Sequence, residues 1–224
     1  MNGEWVVLSK VISLEESMDY IKDGMTVMIG GFMGVGTPEH IIDAMVKKGI
    51  KDLTIIANDT AFPDRGIGKL IVNKSVKKVI ASHIGLNPET GKQMNNKEIE
   101  VDLVPQGTLA EQIRCGGAGI GGFLTETGIG TMVEEGKDKV KVGDKTYLLE
   151  LPLRADVAII GGSLVDKKGN VYYHGSTRNF NPIIATAADI VIAGAEKVVE
   201  VGEIEPDHVM TPGIFVDYIV EEVQ

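Results

Sequence analysis

Residues Asp23 to Pro38 read Asp-Gly-Met-Thr-Val-Met-Ile-Gly-Gly-Phe-Met-Gly-Val-Gly-Thr-Pro. Met25 to Ile29 is an almost unbroken apolar, partly β-branched run. Such a run suits a strand buried on both faces, as in a parallel sheet. It stops at Gly30 and Gly31, and Gly34 and Gly36 follow with only Phe32, Met33 and Val35 between the glycines. Glycine permits positive φ and lets another molecule approach the backbone closely. Thr37 is suited to cap a helix and Pro38 to its first turn. Ile41, Ile42, Met45 and Val46 mark one face of that helix. The order is buried strand, glycine turn, helix N-terminus. In open α/β sheets ligands bind at such turns, and a helix N-terminus favours anions. A tight strand-to-helix connection with no ligand uses the same residues, and both readings stand at this point.

The rest of the chain repeats the strand-then-helix unit. Ser13 is placed to cap a short helix through Tyr20, with Glu15 and Glu16 in its first turn. Gly49 is a C-terminal stop for the helix that starts at Pro38. Strands are expected over 52–57, 77–82 and 98–104, with a short helix over 66–73. Residues 87–97 are polar, with a turn signal at Asn87-Pro88. Pro105-Gln106-Gly107-Thr108 is the next turn, and Thr108 starts a helix through Arg114. Residues 116–136 are glycine-rich with little periodicity, and 140–151 reads as a hairpin turning at Val142-Gly143-Asp144. Later strands are expected over 155–160 and 171–173, then 190–193 and 197–201 continuing the sheet, and finally 214–220. Asn181-Pro182 opens a helix through Ala187. The pattern predicts an α/β fold over residues 1–224, a single domain with an open mixed, mostly parallel sheet and helices on both faces.

The chain has 224 residues and a net charge of −10. That balance argues against non-specific nucleic-acid binding, which needs clustered Lys and Arg. It leaves room for an anionic ligand held by backbone donors. The lone Cys115 has no partner for an intramolecular disulfide. It reads as a small buried hydrophobe, since nothing beside it resembles an activating base. Met1 to Ile12 shows no leader with an apolar core and cleavage site. No uninterrupted apolar run approaches membrane-spanning length. The expected setting is cytoplasmic, without membrane attachment.

The turns after the strands are where chemistry is expected. Gln106 follows the fourth strand, and its amide is able to donate to a ligand oxygen. A turn residue bonded to backbone is the alternative. Asn58, at the end of the second strand, either helps hold substrate or only caps its turn. Gly117-x-Gly119-x-x-Gly122 satisfies the dinucleotide pattern in spelling. A helix, not a strand, precedes it, so a nicotinamide site is dismissed in favour of a loop. His40, His83, His174 and His208 show no metal spacing, and no metal is expected. Lys47, Lys48, Lys51, Lys74, Lys77 and Lys78 are candidates to meet phosphates, or else form a solvated face.

Asp23-Gly24, two residues, three apolar residues, Gly30-Gly31-Phe32, three residues, Gly36-x-Pro38 resembles, at every position, the signature of the family I coenzyme A-transferases in their alpha subunit, of the acetate or butyrate–acetoacetate type. The resemblance extends from about Leu14 to Val220. It includes Pro105-Gln106-Gly107-Thr108-Leu109, the glycine-rich loop after Arg114, and Arg178-Asn179-Phe180-Asn181-Pro182. It implies transfer of coenzyme A between a short-chain acyl-CoA and a free carboxylate such as acetate, butyrate or acetoacetate. The route it implies is ping-pong, through an enzyme-bound thioester. Gly30, Gly31, Phe32, Met33, Gly34, Val35 and Gly36 would bind coenzyme A or its acyl end. Gln106 would donate to the oxyanion, and Asn58 would assist substrate. Coenzyme A would be a substrate, with no cofactor tightly bound. The Arg178–Pro182 segment also reads as a structural turn with a helix cap.

The resemblance is to half an enzyme. The family's nucleophile is a glutamate in a Ser-Glu-Asn-Gly segment of the beta subunit, and that segment does not occur in this sequence. Glu126 lies inside a glycine-rich loop, where the family holds no glutamate. The implied partner is a beta subunit, two of each chain by analogy. Two rivals remain: a sugar-phosphate isomerase or ligand-sensing module on a related sheet, and a non-catalytic interaction subunit.

Overall fold

The structure is a computed structural model, and it describes residues 9–222. Residues 1–8, most of the stretch read above as lacking a leader, lie outside the described residues, as do 223–224.

Ser13 opens helix α1 (Leu14–Ser17) with the expected cap. Its Oγ accepts the Glu16 N–H at 3.1 Å, and the Glu16 carboxylate accepts the Ser13 N–H at 2.8 Å. Strand β1 (Thr26–Ile29) leads through the glycine turn to α2 (Glu39–Lys48), which Gly49 closes in the left-handed conformation. Then come β2 (Leu53–Ile56), α3 (Gly68–Val72), β3 (Val76–Ala81), α4 (Pro88–Asn95), β4 (Glu100–Leu103) and α5 (Gln106–Ala118). Short strands β5 (Phe123–Thr125), β6 (Lys139–Val142) and β7 (Lys145–Glu150) form a separate three-stranded sheet. Its β6–β7 hairpin turns at Gly143, as expected. The chain returns through β8 (Ala155–Gly162), β9 (Leu164–Asp166) and β10 (Val171–Tyr172) to α6 (Asn181–Ile184). It ends with β11 (Ala188–Ala195), β12 (Val198–Val199) and β13 (Tyr218–Glu221).

The main sheet has seven strands in the order β13-β11-β8-β1-β2-β3-β4, and every pairing described in it is parallel. Among the described strands, antiparallel pairs occur in the two small sheets, β5-β7-β6 and β10-β9-β12. Helices cover both faces of the main sheet. Val27 and Ile29 point into a core with Ile41, Ile42 and Met45 of α2 and Leu70 and Ile71 of α3. Met28, between them, points the other way, to Leu109 and Ile113 of α5 and Ile184 of α6. Alternate side chains of one strand thus fill two cores, and so the strand reads as a continuous apolar run.

Several local expectations change. Thr37 does not cap α2: its Oγ1 donates to the Gly30 carbonyl at 2.8 Å, and Pro38 stands at the cap position. The polar stretch 87–97, read for its turn signal, holds a helix. Asn87 caps α4, accepting the Glu89 N–H at 3.1 Å, with Pro88 in the first turn. Helix α5 starts at Gln106, two residues earlier than expected, and runs on to Ala118. Val198–Val199 belongs to the small β10-β9-β12 sheet and does not continue the main one. Residues 213–215 form a 3₁₀ turn, so the last strand begins only at Tyr218.

β1 is where the strand order reverses: β2, β3 and β4 extend the sheet on one side, and β8, β11 and β13 on the other. In open parallel sheets the crevice at the carboxyl ends of the strands flanking such a switch point is the ligand site.

Candidate active site

The glycine turn sits at that switch point. Phe32 and Val35 exchange both backbone hydrogen bonds, 3.0 Å and 2.9 Å, across a two-residue loop. Met33 (φ +55°) and Gly34 (φ +84°) in the loop are both left-handed. Two positive φ values in a row define the tight hairpin turn whose twist matches the flanking chain. Gly34 meets that demand without cost, and Met33 meets it as a non-glycine. The Met33 N–H donates to Asp59 Oδ2 at 2.9 Å, which holds it there. The turn raises three apolar side chains to the surface: Phe32, Met33 and Val35 are 41%, 36% and 46% exposed. At its base, a Cβ on Gly31 (φ +129°) would stand 2.0 Å from Thr37 Oγ1. The bare Gly31 backbone therefore makes room for the Thr37 hydroxyl that closes the turn.

Asparagines from the distant Arg178–Pro182 segment hold the turn from the other side. Asn179 Oδ1 accepts the Gly31 N–H at 3.1 Å, and its Nδ2 donates to the Val35 carbonyl at 2.9 Å. Asn181 Nδ2 donates to the Gly36 carbonyl at 3.0 Å, while its Oδ1 accepts the Gly161 N–H at 3.0 Å. Gly161 lies at the end of β8, so Asn181 ties the two switch-point strands together. Sequence reading left this segment between motif and structural turn. Its asparagines serve as a clamp on the glycine turn.

Gln106 and Asn58 come together. Gln106, exposed in the first position of α5, donates from Nε2 to Asn58 Oδ1 at 2.8 Å. Asn58 is 2% exposed, and its Nδ2 donates to Asp59 Oδ2 at 2.8 Å. Its own Oδ1 also accepts from Ser82 Oγ at 3.1 Å. A chain of polar groups thus runs from the turn, at Met33, through Asp59 and Asn58 to Gln106, joining the ends of β1, β2 and β3 to the start of α5. The amide nitrogen of Gln106 carries two hydrogens. Asn58 takes one, and among the described residues no acceptor takes the other. Asp59 escaped sequence reading as a functional residue. Its only signal was its place in the polar Asn58-Asp59-Thr60 cluster closing β2.

The other candidates are elsewhere or engaged. Lys78 bridges Asp102 and Glu100, each at 2.7 Å, and these carboxylates push its ammonium above the usual range. Lys74 pairs with Glu98 at 2.9 Å, and Lys51 donates to the Asn73 carbonyl at 2.9 Å. Lys48 donates to the Met18 carbonyl. These contacts fit a solvated, paired face. Beside the turn itself stands Arg65, its guanidinium 5.2 Å from the Phe62 ring centroid and its side chain packed against Gly34. Glu126 is an exposed partner of Lys145 at 2.8 Å, far from a nucleophile's setting in a closed site. Cys115 is fully buried, as read. Among the described residues no cluster of three or more His, Cys, Asp or Glu is placed to hold a metal, and no helix is long and apolar enough to cross a membrane.

The family model described as Coenzyme A transferase matches residues 11–222. The chain belongs to the coenzyme A-transferase family. Among curated coenzyme A-transferases it is 58% identical over 212 residues to the acetate CoA-transferase subunit alpha of Escherichia coli (strain K12), covering 95% of this chain and 96% of that one. It is 56% identical over 214 residues to the acetoacetyl-CoA:acetate/butyrate CoA transferase alpha subunit of Clostridium acetobutylicum, covering 96% and 98% of the two chains. Among solved coenzyme A-transferases, the acyl-CoA transferase of E. coli O157:H7, in a thioester complex with CoA, superposes with a TM-score of 0.85 at 25% identity. The match covers 96% of this chain and 47% of that one, so this chain spans about half the length of that transferase.

Proposed function

We propose that this chain is the alpha subunit of a coenzyme A-transferase that moves coenzyme A between a short-chain acyl-CoA and a free short-chain carboxylate, with acetate, butyrate and acetoacetate as the acids. One observation carries the reading: a glutamine N–H without an acceptor is held, through Asn58 and Asp59, at the end of the complete glycine-turn motif. Near full-length identity to two alpha subunits named for these acids supports the choice of substrates. In this reading the chain forms one domain over residues 1–224, acts in the cytoplasm, and pairs with a beta subunit in a complex of two alpha and two beta chains. The nucleophilic glutamate comes from that partner.

The chemistry follows from the groups present. Attack of a carboxylate on a thioester carbonyl places negative charge on the carbonyl oxygen. A fixed N–H aimed at that oxygen stabilises the charge without reorganising. Gln106 supplies the N–H at both steps of the first half-reaction. The partner's glutamate carboxylate attacks the acyl-CoA carbonyl and expels the coenzyme A thiolate, leaving a mixed anhydride. The thiolate then attacks the glutamyl carbonyl and expels the first acid as free carboxylate; the second acid runs the same steps in reverse. Asn58, buried, serves substrate through Gln106. Residues Gly30 to Gly36 form the wall for coenzyme A or its acyl end, with Phe32, Met33 and Val35 as the apolar contact. Coenzyme A is a substrate here, and the reading assigns no tightly bound cofactor. The isomerase alternative needs a free acid–base carboxylate at the turn. Asp59, the carboxylate bonded to the turn, is occupied by three N–H groups.

The test is to purify the chain with its beta partner and assay a panel of acyl-CoA donors with acetate and acetoacetate. Ping-pong kinetics, and a glutamyl thioester that borohydride reduces in the partner, are expected. A complex that exchanges coenzyme A with none of these acids would remove the reading.

A further inference from the structure

We infer that Asp59 is a positioning residue for the transfer reaction, one that fixes which way the Asn58 and Gln106 amides face so that Gln106 offers substrate an N–H. The inference rests on the transferase reading above.

Asp59 is 6% exposed, and among the described residues no cation pairs with its carboxylate. Its Oδ2 accepts from Asn58 Nδ2 at 2.8 Å and from the Met33 N–H at 2.9 Å, and its Oδ1 accepts from the Ala61 N–H at 2.8 Å. An ionised carboxylate can only accept. An asparagine or glutamine amide has nearly the same shape either way round, with oxygen at one end and nitrogen at the other. Shape alone does not orient such a side chain, so a neighbour of one-way polarity must. Asp59 is that neighbour. It requires Asn58 to turn its NH₂ group inward, which leaves Asn58 Oδ1 facing Gln106. That oxygen requires Gln106 to turn its own NH₂ toward Asn58, 2.8 Å away. Ser82 imposes no direction of its own: its hydroxyl, 3.1 Å from Asn58 Oδ1, has the Asn58 backbone carbonyl at 2.7 Å as the nearer acceptor for its one hydrogen. Reversing Gln106 alone would set its carbonyl oxygen against that of Asn58. Reversing both would keep the bond between the two amides but set the Asn58 carbonyl oxygen against Asp59 Oδ2, acceptor against acceptor. The carboxylate therefore imposes a direction that passes through two amides to the surface, and the same oxygen holds the glycine turn at Met33. The donor and the substrate wall share one anchor.

The test is a double-mutant cycle in the assembled complex. Asp59→Asn keeps the shape and removes the one-way polarity, because a carboxamide both donates and accepts. We expect kcat to fall roughly 10²-fold, the order seen when an oxyanion donor is lost, with KM for acyl-CoA within about twofold. In a Gln106→Ala background the same change should cost almost nothing further, since coupled residues are non-additive. An Asp59 that merely supports the fold would instead give losses that multiply. Multiplying losses, a change in KM alone, or unaltered kcat would each overturn the assignment. Should Asp59→Asn fail to assemble, neutron diffraction of the wild-type complex reads the amides directly. Deuterium on the Asn58 nitrogen facing Asp59 and on the Gln106 nitrogen facing Asn58 sustains the inference, and either amide reversed contradicts it. A wild-type complex that transfers no coenzyme A would instead remove the transferase reading. Wild-type transfer with an additive cycle removes only the role of Asp59.

Discussion

A Cβ placed on Gly30 would lie 1.7 Å from Oδ1 of Asn181. The asparagine occupies the space that any side chain at position 30 would need. It is fully buried, and its amide joins Gly36, Thr177 and Gly161 by hydrogen bonds of 2.8–3.0 Å. The glycine turn and the Arg178–Pro182 segment, about 150 residues apart, are therefore one structural unit.

Gly30→Ala should destabilise the protein strongly, because overpacking a closed site typically costs about 1–3 kcal/mol and Asn181 has no open direction in which to retreat. Gly34→Ala should be milder. Its Cβ would meet only the flexible Arg65 side chain, at 2.9 Å, and the main penalty is the left-handed φ, about 1–2 kcal/mol. Urea midpoints of the two variants check the order. Equal midpoints would mean that Asn181 yields easily.

Gln106→Ala should lower kcat by roughly 10²–10³-fold and leave KM for acyl-CoA nearly unchanged, since an oxyanion donor acts mainly in the transition state. Steady-state kinetics of the complex check this. A loss confined to KM would make Gln106 a ground-state contact.

His40, near the start of α2, should make stability sensitive to acid. Burial pushes its pKa below the ordinary 6.5, against the opposing pull of the Glu222 carboxylate. The folded chain thus prefers the neutral ring, and its contribution is present above the ordinary pKa. Protons bind the unfolded chain first as pH falls below about 6.5, so stability declines from there toward and through the lowered folded value. Thermal midpoints between pH 7 and 5 should fall less steeply for His40→Gln than for wild type. Parallel profiles would show that His40 does not titrate differently on folding.

Asn87→Ala should cost about 1 kcal/mol through loss of the α4 cap. A chemical-denaturation midpoint unchanged from wild type would contradict the cap. The same residue shows where sequence reading stopped short. Asn-Pro is a turn signal, and it is equally an N-cap followed by proline in the first helical turn. Only the packing of the next residues decides: Gln93 is buried and donates to the Ile71 carbonyl at 2.9 Å, a contact that no local pattern contains. The main-sheet strands were legible because Met25–Ile29 and Ala155–Ile160 are apolar on both faces. Strands β5 and β9 were not, because three residues carry no period. At the site, the glycine turn and Gln106 stood out by residue type. Asp59 did not, and the clamp made by Asn179 and Asn181, though their segment was noticed, was not read, because these roles depend on which distant groups each side chain faces. Thr37 looked like a cap because threonine commonly is one, but the bare Gly31 offered its hydroxyl a nearer acceptor, the Gly30 carbonyl.

The most direct measurement is turnover by this chain purified alone. The account places the turn and the oxyanion donor here and the nucleophile on another chain. It predicts no coenzyme A transfer by the isolated chain, with activity appearing when the beta subunit is added. Transfer by the homogeneous chain alone, or a glutamyl thioester mapping to a residue of its own such as Glu126, would contradict the divided site.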